Sequence, residues 1–311
     1  MRISSMKKIA LLACVLTVWA SCLLYIENEQ RLKNIHGNLL FSSAEKIENV
    51  KKIKIKSARN QVTIYQDENM WKVLEADNYY ADLNLVRMLL ERISMARTGN
   101  EIPAETLKDS EWISISLYGA SDQKLDEVQL SNPYRSGSHN TRSEDGKKIY
   151  ATNWVVNIPD QKMSWTNHPL IRFDSIEIKS IENNGKKITR DYKGMPFSYA
   201  ENKFQYNTQK HTKVFDVLTG LWYDDVLSSQ EFDEKKYSHQ QQLKLTSFDG
   251  LETEITLYTD NKEYWAKINI STNKLPMQEI KNYVANNSFL YEDWWFKLTP
   301  EDGKALFLFQ L

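Results

Sequence analysis

One segment constrains this chain more than any other: the apolar run from Ile9 to Ile26, about 18 residues, whose polar members are Thr17 and Ser21. That length reaches the lower end of what a helix needs to cross a bilayer. Arg2, Lys7 and Lys8 precede the run, and Glu27 and Glu29 follow it. The positive-inside rule then predicts a cytoplasmic N-terminus, with the bulk of the chain on the far side of the membrane. Two other readings of the segment stay open. A cleaved signal has the same basic start and apolar middle, although no Ala-x-Ala step follows. Ala20-Ser21-Cys22 suits a lipoprotein signal, with Trp19 where a Leu-like residue is usual. All three readings export the rest of the chain. Both cysteines, Cys14 and Cys22, lie in the run, so the exported part carries no thiol.

The exported part has the means to fold. Hydrophobic residues make up 41% of the chain and aromatics 12%, which argues against disorder. Lys+Arg 40 against Asp+Glu 41 leaves no basic excess for neutralising phosphates, so nucleic acid is not an expected partner. A length of 311 residues suggests about two domains.

After a polar stalk over 27–45, strand and helix patterns alternate. Val50–Lys56, Val62–Tyr65 and Met70–Leu74 read as a meander with one buried face. Leu83, Val86, Leu89, Leu90 and Ile93 fall on one helical stripe behind Asp82, a helix-capping residue type. Trp112–Tyr118, Val128–Leu130, Lys148–Thr152 and Trp154–Ile158 resume the period of two, and Pro159 fits a strand end or a helix start. The order then recurs. Ser175–Ile181 and Lys187–Tyr192 flank an Asn184-Gly185 hairpin turn. A helix from Thr212 carries Val214, Val217, Leu218, Leu221 and Trp222. Leu243–Phe248, Glu254–Tyr258 and Tyr264–Ile268 follow as strands. Val86 and Val214 are 128 positions apart, whereas Trp154 and Trp295, each opening a run that ends in Pro and an acid, are 141 apart. The expected fold is therefore α+β: an N-terminal transmembrane helix over 1–26, then two tandem antiparallel-sheet-plus-helix units over 46–174 and 175–311, an internal duplication.

Leu40-Phe41, Ile53-Lys54-Ile55, Trp71-Lys72-Val73 and Tyr80-Ala81-Asp82 resemble the domain-of-unknown-function family 4340 (DUF4340). The resemblance covers residues 39–174, and the second half only by pattern. It implies an N-terminal anchor, repeated α+β units and an accessory role beside a gliding-type ABC transporter, with no established catalytic residues. Tyr150-Ala151-Thr152 departs from the family's Tyr-Val-Arg step, so no role of that Arg carries over.

No chemistry-bearing spacing stands out. The five histidines form no His-x-x-x-His or His-Glu-x-x-His pair, and no phosphate-cradling loop or nucleophile elbow occurs. No catalytic residue, metal site or cofactor is expected. Asp224-Asp225 and Glu292-Asp293 adjoin Trp222-Tyr223 and Trp294-Trp295, an acid-aromatic pairing compatible with carbohydrate chemistry. Adjacent acids point apart, however, and read more simply as solvated ends beside a core stripe. Trp222, Tyr223, Trp294 and Trp295 are the candidate partner-binding residues. The polar loop Tyr134–Arg142 reads as a hairpin tip able to meet an anionic glycan or lipid head group. The sequence thus predicts a single-pass, membrane-anchored, non-enzymatic accessory protein of the cell envelope, with a transporter permease as partner. The alternative is a carbohydrate-binding or carbohydrate-active envelope protein.

Overall fold

The computed structural model describes residues 38–42, 44–103, 111–131, 138–143, 145–155, 157–166, 169–171 and 174–311. The expected anchor over 1–26 and residues 27–37 of the expected stalk lie outside them. Among the described residues no helix is long and apolar enough to cross a membrane. The protein is a mixed α+β chain dominated by antiparallel sheet. Its first strands are β1 (Lys52–Lys56), β2 (Gln61–Asp67), β3 (Met70–Val73) and β4 (Tyr79–Tyr80), followed by α1 (Leu83–Met95). Then come β5 (Thr98–Ile102), β6 (Trp112–Tyr118), β7 (Lys124–Ser131), β8 (Asn140–Arg142) and β9 (Ile149–Thr152). The second series is β10 (Ile178–Asn183), β11 (Lys186–Thr189), β12 (Ser198–Tyr199), α2 (Thr212–Thr219) and β13 (Tyr223–Ser228). It closes with β14 (His239–Ser247), β15 (Leu251–Thr259), β16 (Tyr264–Thr272), α3 (Gln278–Asn287), β17 (Trp294–Leu298) and α4 (Pro300–Phe307).

Two compact units result. Unit 1 takes in the chain up to Gln66 and Leu83–Gln161; unit 2 takes in Asp67–Asp82 and Lys162–Leu311. The division after Gln161 falls earlier than the 174/175 boundary expected from the sequence. The segment 67–82 goes with unit 2 because Tyr79, 1% exposed, packs edge-on to Trp294, Phe296 and Tyr223 and donates to the Leu290 carbonyl at 3.1 Å.

In unit 1 the strands run in the order β2-β1-β6-β7-β8-β9-β5, every neighbour antiparallel. Alternation buries Ile53, Ile55, Val62, Ile64, Ile115 and Leu117, and α1 buries Val86, Leu89 and Ile93. That stripe follows from the 3.6-residue period and is the helix face the sequence predicts. The stalk ends sooner than its polarity suggests. Phe41 is fully buried with its ring 6.3 Å from Trp154, and the Leu40 amide bonds to the Ala96 carbonyl.

In unit 2 the order is β12-β11-β10-β14-β15-β16-β17-β13, again antiparallel throughout. Asn184 and Gly185 turn the β10–β11 hairpin with φ of 50° and 80°, the left-handed pair that matches strand twist.

From β11 to β13 the second order corresponds strand for strand to the first, β12 lying beyond the match, and the registers correspond too. Ile53 faces Leu117 and Ile55 faces Ile115 in unit 1; Ile181 faces Leu245 and Asn183 faces Leu243 in unit 2. Each of the second four positions lies 128 residues after its counterpart, the shift that also separates Val86 from Val214. Near the end of β2 the Gln66 amide donates to the Lys51 carbonyl; just past β11 the Arg190 amide donates to the Lys179 carbonyl. The irregularity on the last strand recurs as well, between Thr98 and Glu101 opposite β9 and between Tyr223 and Asp225 opposite β17.

Three sequence expectations are corrected. Trp154 and Trp295 do not correspond: Tyr150 and Phe296 hold equivalent places between flanking strands, so Trp154 falls past its strand where Pro300 falls past β17. The described residues of 154–158 form no strand, because Trp154 and Ile158 are buried from a loop. Ser175–Glu177 is a 3-10 turn rather than strand, since the Asp174 side chain caps it by accepting from the Ile176 amide.

Candidate functional site

The sequence-predicted residues scatter once folded. Trp222 is half exposed, but Tyr223, Trp294 and Trp295 are buried. Trp295 stacks on Phe232 at 4.0 Å and meets Tyr258 edge-on at 5.0 Å, which makes it core. Tyr223 and Trp294 both join the cluster around Tyr79. β17 buries both faces, so its aromatics pack inward instead of forming a surface patch. Asp225 receives Lys162 at 2.7 Å, an ion pair with both members about one-third exposed, while Asp224 points to solvent on the exposed side of β13. Glu292 and Asp293 are exposed.

The loop expected as a flexible hairpin tip is, in its described part, inner structure. His139 is fully buried, its amide donating to the Trp154 carbonyl at 2.7 Å and its Nδ1 bonded with the Ser131 carbonyl. Asn140 and Thr141 are buried beside it, and the Arg142 guanidinium lies 4.8 Å over the Trp112 ring. Residues 134–137 of that loop lie outside the described residues. Among the described residues no group of three His, Cys, Asp or Glu side chains is placed to hold a metal.

The structure instead draws attention to a cavity of about 760 Å³ within unit 2. Four pieces of chain build it: Ser175, Arg190 after β11 with the loop to Phe197, the stretch Gln205–Gln209, and the start of α2. At Thr208 the chain enters a 3-10 turn capped by Asn207, whose side chain accepts from the Gln209 amide at 3.1 Å. That turn runs into α2, bringing Thr212 and Phe215 to the wall.

Among the described residues of the lining Arg190 is the one that carries a charge, and it is 8% exposed. Its Nε donates to the Ile178 carbonyl at 2.7 Å, one Nη to the Ser175 carbonyl and the other to the Met195 carbonyl at 3.4 Å. The Phe197 ring lies 4.5 Å from the guanidinium carbon, a cation–π contact. Burial holds the Arg190 pKa below its usual value against the opposing pull of Glu177 and Asp174. Those two acids have work elsewhere: Glu177 pairs with Lys193, and Asp174 caps the 3-10 turn. Tyr206, also in the wall, has its phenol pushed up to about 12 by burial. The cavity thus combines a buried cation with amide, hydroxyl and aromatic groups, and among its described lining residues none is an acid.

Sequence reasoning passed over Arg190. The signal was present in Ile188-Thr189-Arg190, where a strand period of two puts a cation on the face that Ile188 buries. A groove of about 450 Å³ in unit 1 is different in kind. Its polar groups bond one another: Lys124 pairs with Glu127, Arg142 donates to the neutral Gln129 amide oxygen, and Ser42 donates to Asp126 at 2.8 Å.

No protein-family model, no curated protein and no solved structure matches this chain.

Proposed function

We propose that this chain is an exported, membrane-anchored, non-enzymatic accessory protein that works beside an ABC-type transporter permease in the cell envelope. The observation that carries the reading is the run Ile9–Ile26 with cations before it and acids after it, which fits a single-pass anchor with a cytoplasmic N-terminus. The resemblance of residues 39–174 to DUF4340 supplies the transporter association. The common strand order and the shared 128-residue shift support an internal duplication, in which one α+β unit was copied and fused. A duplicated unit gives a scaffold two copies of one framework whose loops diverge to meet different partners. Catalysis by the acid-aromatic clusters finds no support in the cavity, because Asp224, Asp225, Glu292 and Asp293 are absent from its lining.

Affinity purification of the full-length chain from membranes tests the reading. The expected result is co-purification of a transporter permease, lost when residues 1–26 are deleted, because anchoring raises the local concentration of the two proteins. Full function in a transport or envelope-integrity assay after that deletion would overturn it. Asp225→Asn and Glu292→Ala, singly, are expected to leave such an assay unchanged.

A further inference from the structure

We propose that the Arg190 cavity of unit 2 binds a small hydroxylated carboxylate, of the class of an acidic monosaccharide, with the guanidinium receiving the carboxylate. The inference goes beyond the accessory role and can fail without it.

The first argument is charge. A buried cation is costly unless a counter-charge and a full set of hydrogen bonds compensate it. Arg190 donates to three backbone carbonyls, leaving two of its five N–H bonds. Among the described residues no carboxylate lies within ion-pair distance of it, and none lines the cavity. Glu177 and Asp174 act on it only from beyond that distance, so a ligand carboxylate adds the direct counter-charge and accepts from the guanidinium. A single cation balances a monoanion; a phosphate dianion would leave an uncompensated charge in the same place.

The second argument is the rest of the wall. Gln205 and Gln209 offer amides, and Ser175, Thr208 and Thr212 offer hydroxyls, groups that both donate to and accept from a ligand's hydroxyls. The Phe197 and Phe215 rings, 5.6 Å apart, supply apolar faces for the C–H surface of a pyranose. The volume lies within the usual range for small-molecule sites, roughly 300–1,000 Å³.

The third argument is the comparison between the units. The position equivalent to Arg190 by its backbone hydrogen bond is Gln66. Gln66 is neutral, and its Oε1 accepts from Lys51 at 2.7 Å. One copy of the framework therefore closes this position with a local partner, and the other places a buried cation there beside open space.

The test is isothermal titration of the full-length chain in a zwitterionic, sugar-free detergent with D-glucuronate, D-glucose, acetate and inorganic phosphate. Saturable glucuronate binding is expected, at least tenfold tighter than glucose or acetate. Gln205→Trp, at an exposed lining position where a larger side chain fills the mouth, is expected to abolish it without lowering Tm. Arg190→Gln should cost tenfold or more for glucuronate and leave glucose unchanged. Because Arg190 also ties down three carbonyls, that variant is read only if its melting curve stays cooperative, and Gln205→Trp decides otherwise. Equal affinity for glucose, tighter binding of acetate or phosphate, glucuronate binding that survives Gln205→Trp, or no saturation by about 10 mM would each overturn the proposal.

Discussion

Neighbouring aromatic residues in this chain have opposite fates. Trp222 is half exposed, whereas Tyr223, one residue later, is 3% exposed at the start of β13. Trp222→Ala is expected to change stability by less than about 0.5 kcal/mol, and Trp295→Ala to cost about 3–5 kcal/mol by emptying the space against Phe232 and Tyr258. Denaturant titration of the two variants checks the contrast. If the aromatic surface contributes to permease capture, Trp222 is the member of the four to carry it. The buried tyrosines set an alkaline limit. Burial raises the phenols of Tyr79, Tyr223 and Tyr291 above their ordinary value and that of Tyr206 to about 12. In the unfolded chain a phenol ionises near pH 10. Above that pH the unfolded state binds fewer protons than the native state, so stability is intact below about pH 10 and falls as pH rises through it. Phenolate absorbance and circular dichroism followed together should show the last tyrosines ionising only as the fold is lost. A single smooth titration near pH 10 with the dichroism unchanged would contradict this.

Among the elements, packing decides more than propensity. Gly303 sits in α4 where an added Cβ would land in the Tyr264 ring. Gly303→Ala, a helix-favouring change in isolation, is therefore expected to destabilise by about 1–3 kcal/mol, readable as a lowered Tm. α3 is the opposite case, since none of its residues is buried. Its amides should exchange with deuterium well ahead of those in β14, β15 and β16. Legibility in the sequence follows the same division. α1, β6, β14, β15 and β16 were readable because each buries one face and so alternates or stripes. β5 and β13 were not, because Thr98–Ile102 is a polar edge strand and Tyr223–Ser228 carries two acids at its start. α3 left no apolar stripe to read. The cavity escaped notice because its wall joins Arg190 to residues of the Gln205–Gln209 turn and α2, and no local spacing encodes that meeting.

At the scale of the whole molecule, Leu39-Leu40-Phe41 joins the described part of unit 1 to its core. Leu39 bridges to Arg97, and Phe41 is core. A chain beginning at Asn38 is expected to remain in the supernatant after high-speed centrifugation and to melt cooperatively. One beginning at Ser42 loses Phe41 and should be less stable by about 3–5 kcal/mol. Sedimentation of the Asn38 form with membranes after a carbonate wash would contradict the single anchor. The correspondence between the two strand orders was legible as a helix-to-helix shift, whereas the two tryptophans matched in the sequence do not share a register position. Hydrogen-bond register identifies equivalent places where side chains no longer resemble one another.

The far edge of each sheet imposes a schedule. β5 and β13 leave the chain directly after their helices, yet their partners β9 and β17 are the last strands of each series. During synthesis Val226 waits for Phe296, with the whole β14–β16 meander laid down between them, and until then both strand rims stand open. Such late, distant pairing slows folding and leaves rims available to strands of other molecules. Passage across a membrane before folding would hold that schedule back until the C-terminal strand arrives. A chain released short of Trp294 would have nothing to cover β13, and should be cleared by proteases or captured by holding chaperones rather than persist as a truncated but folded protein.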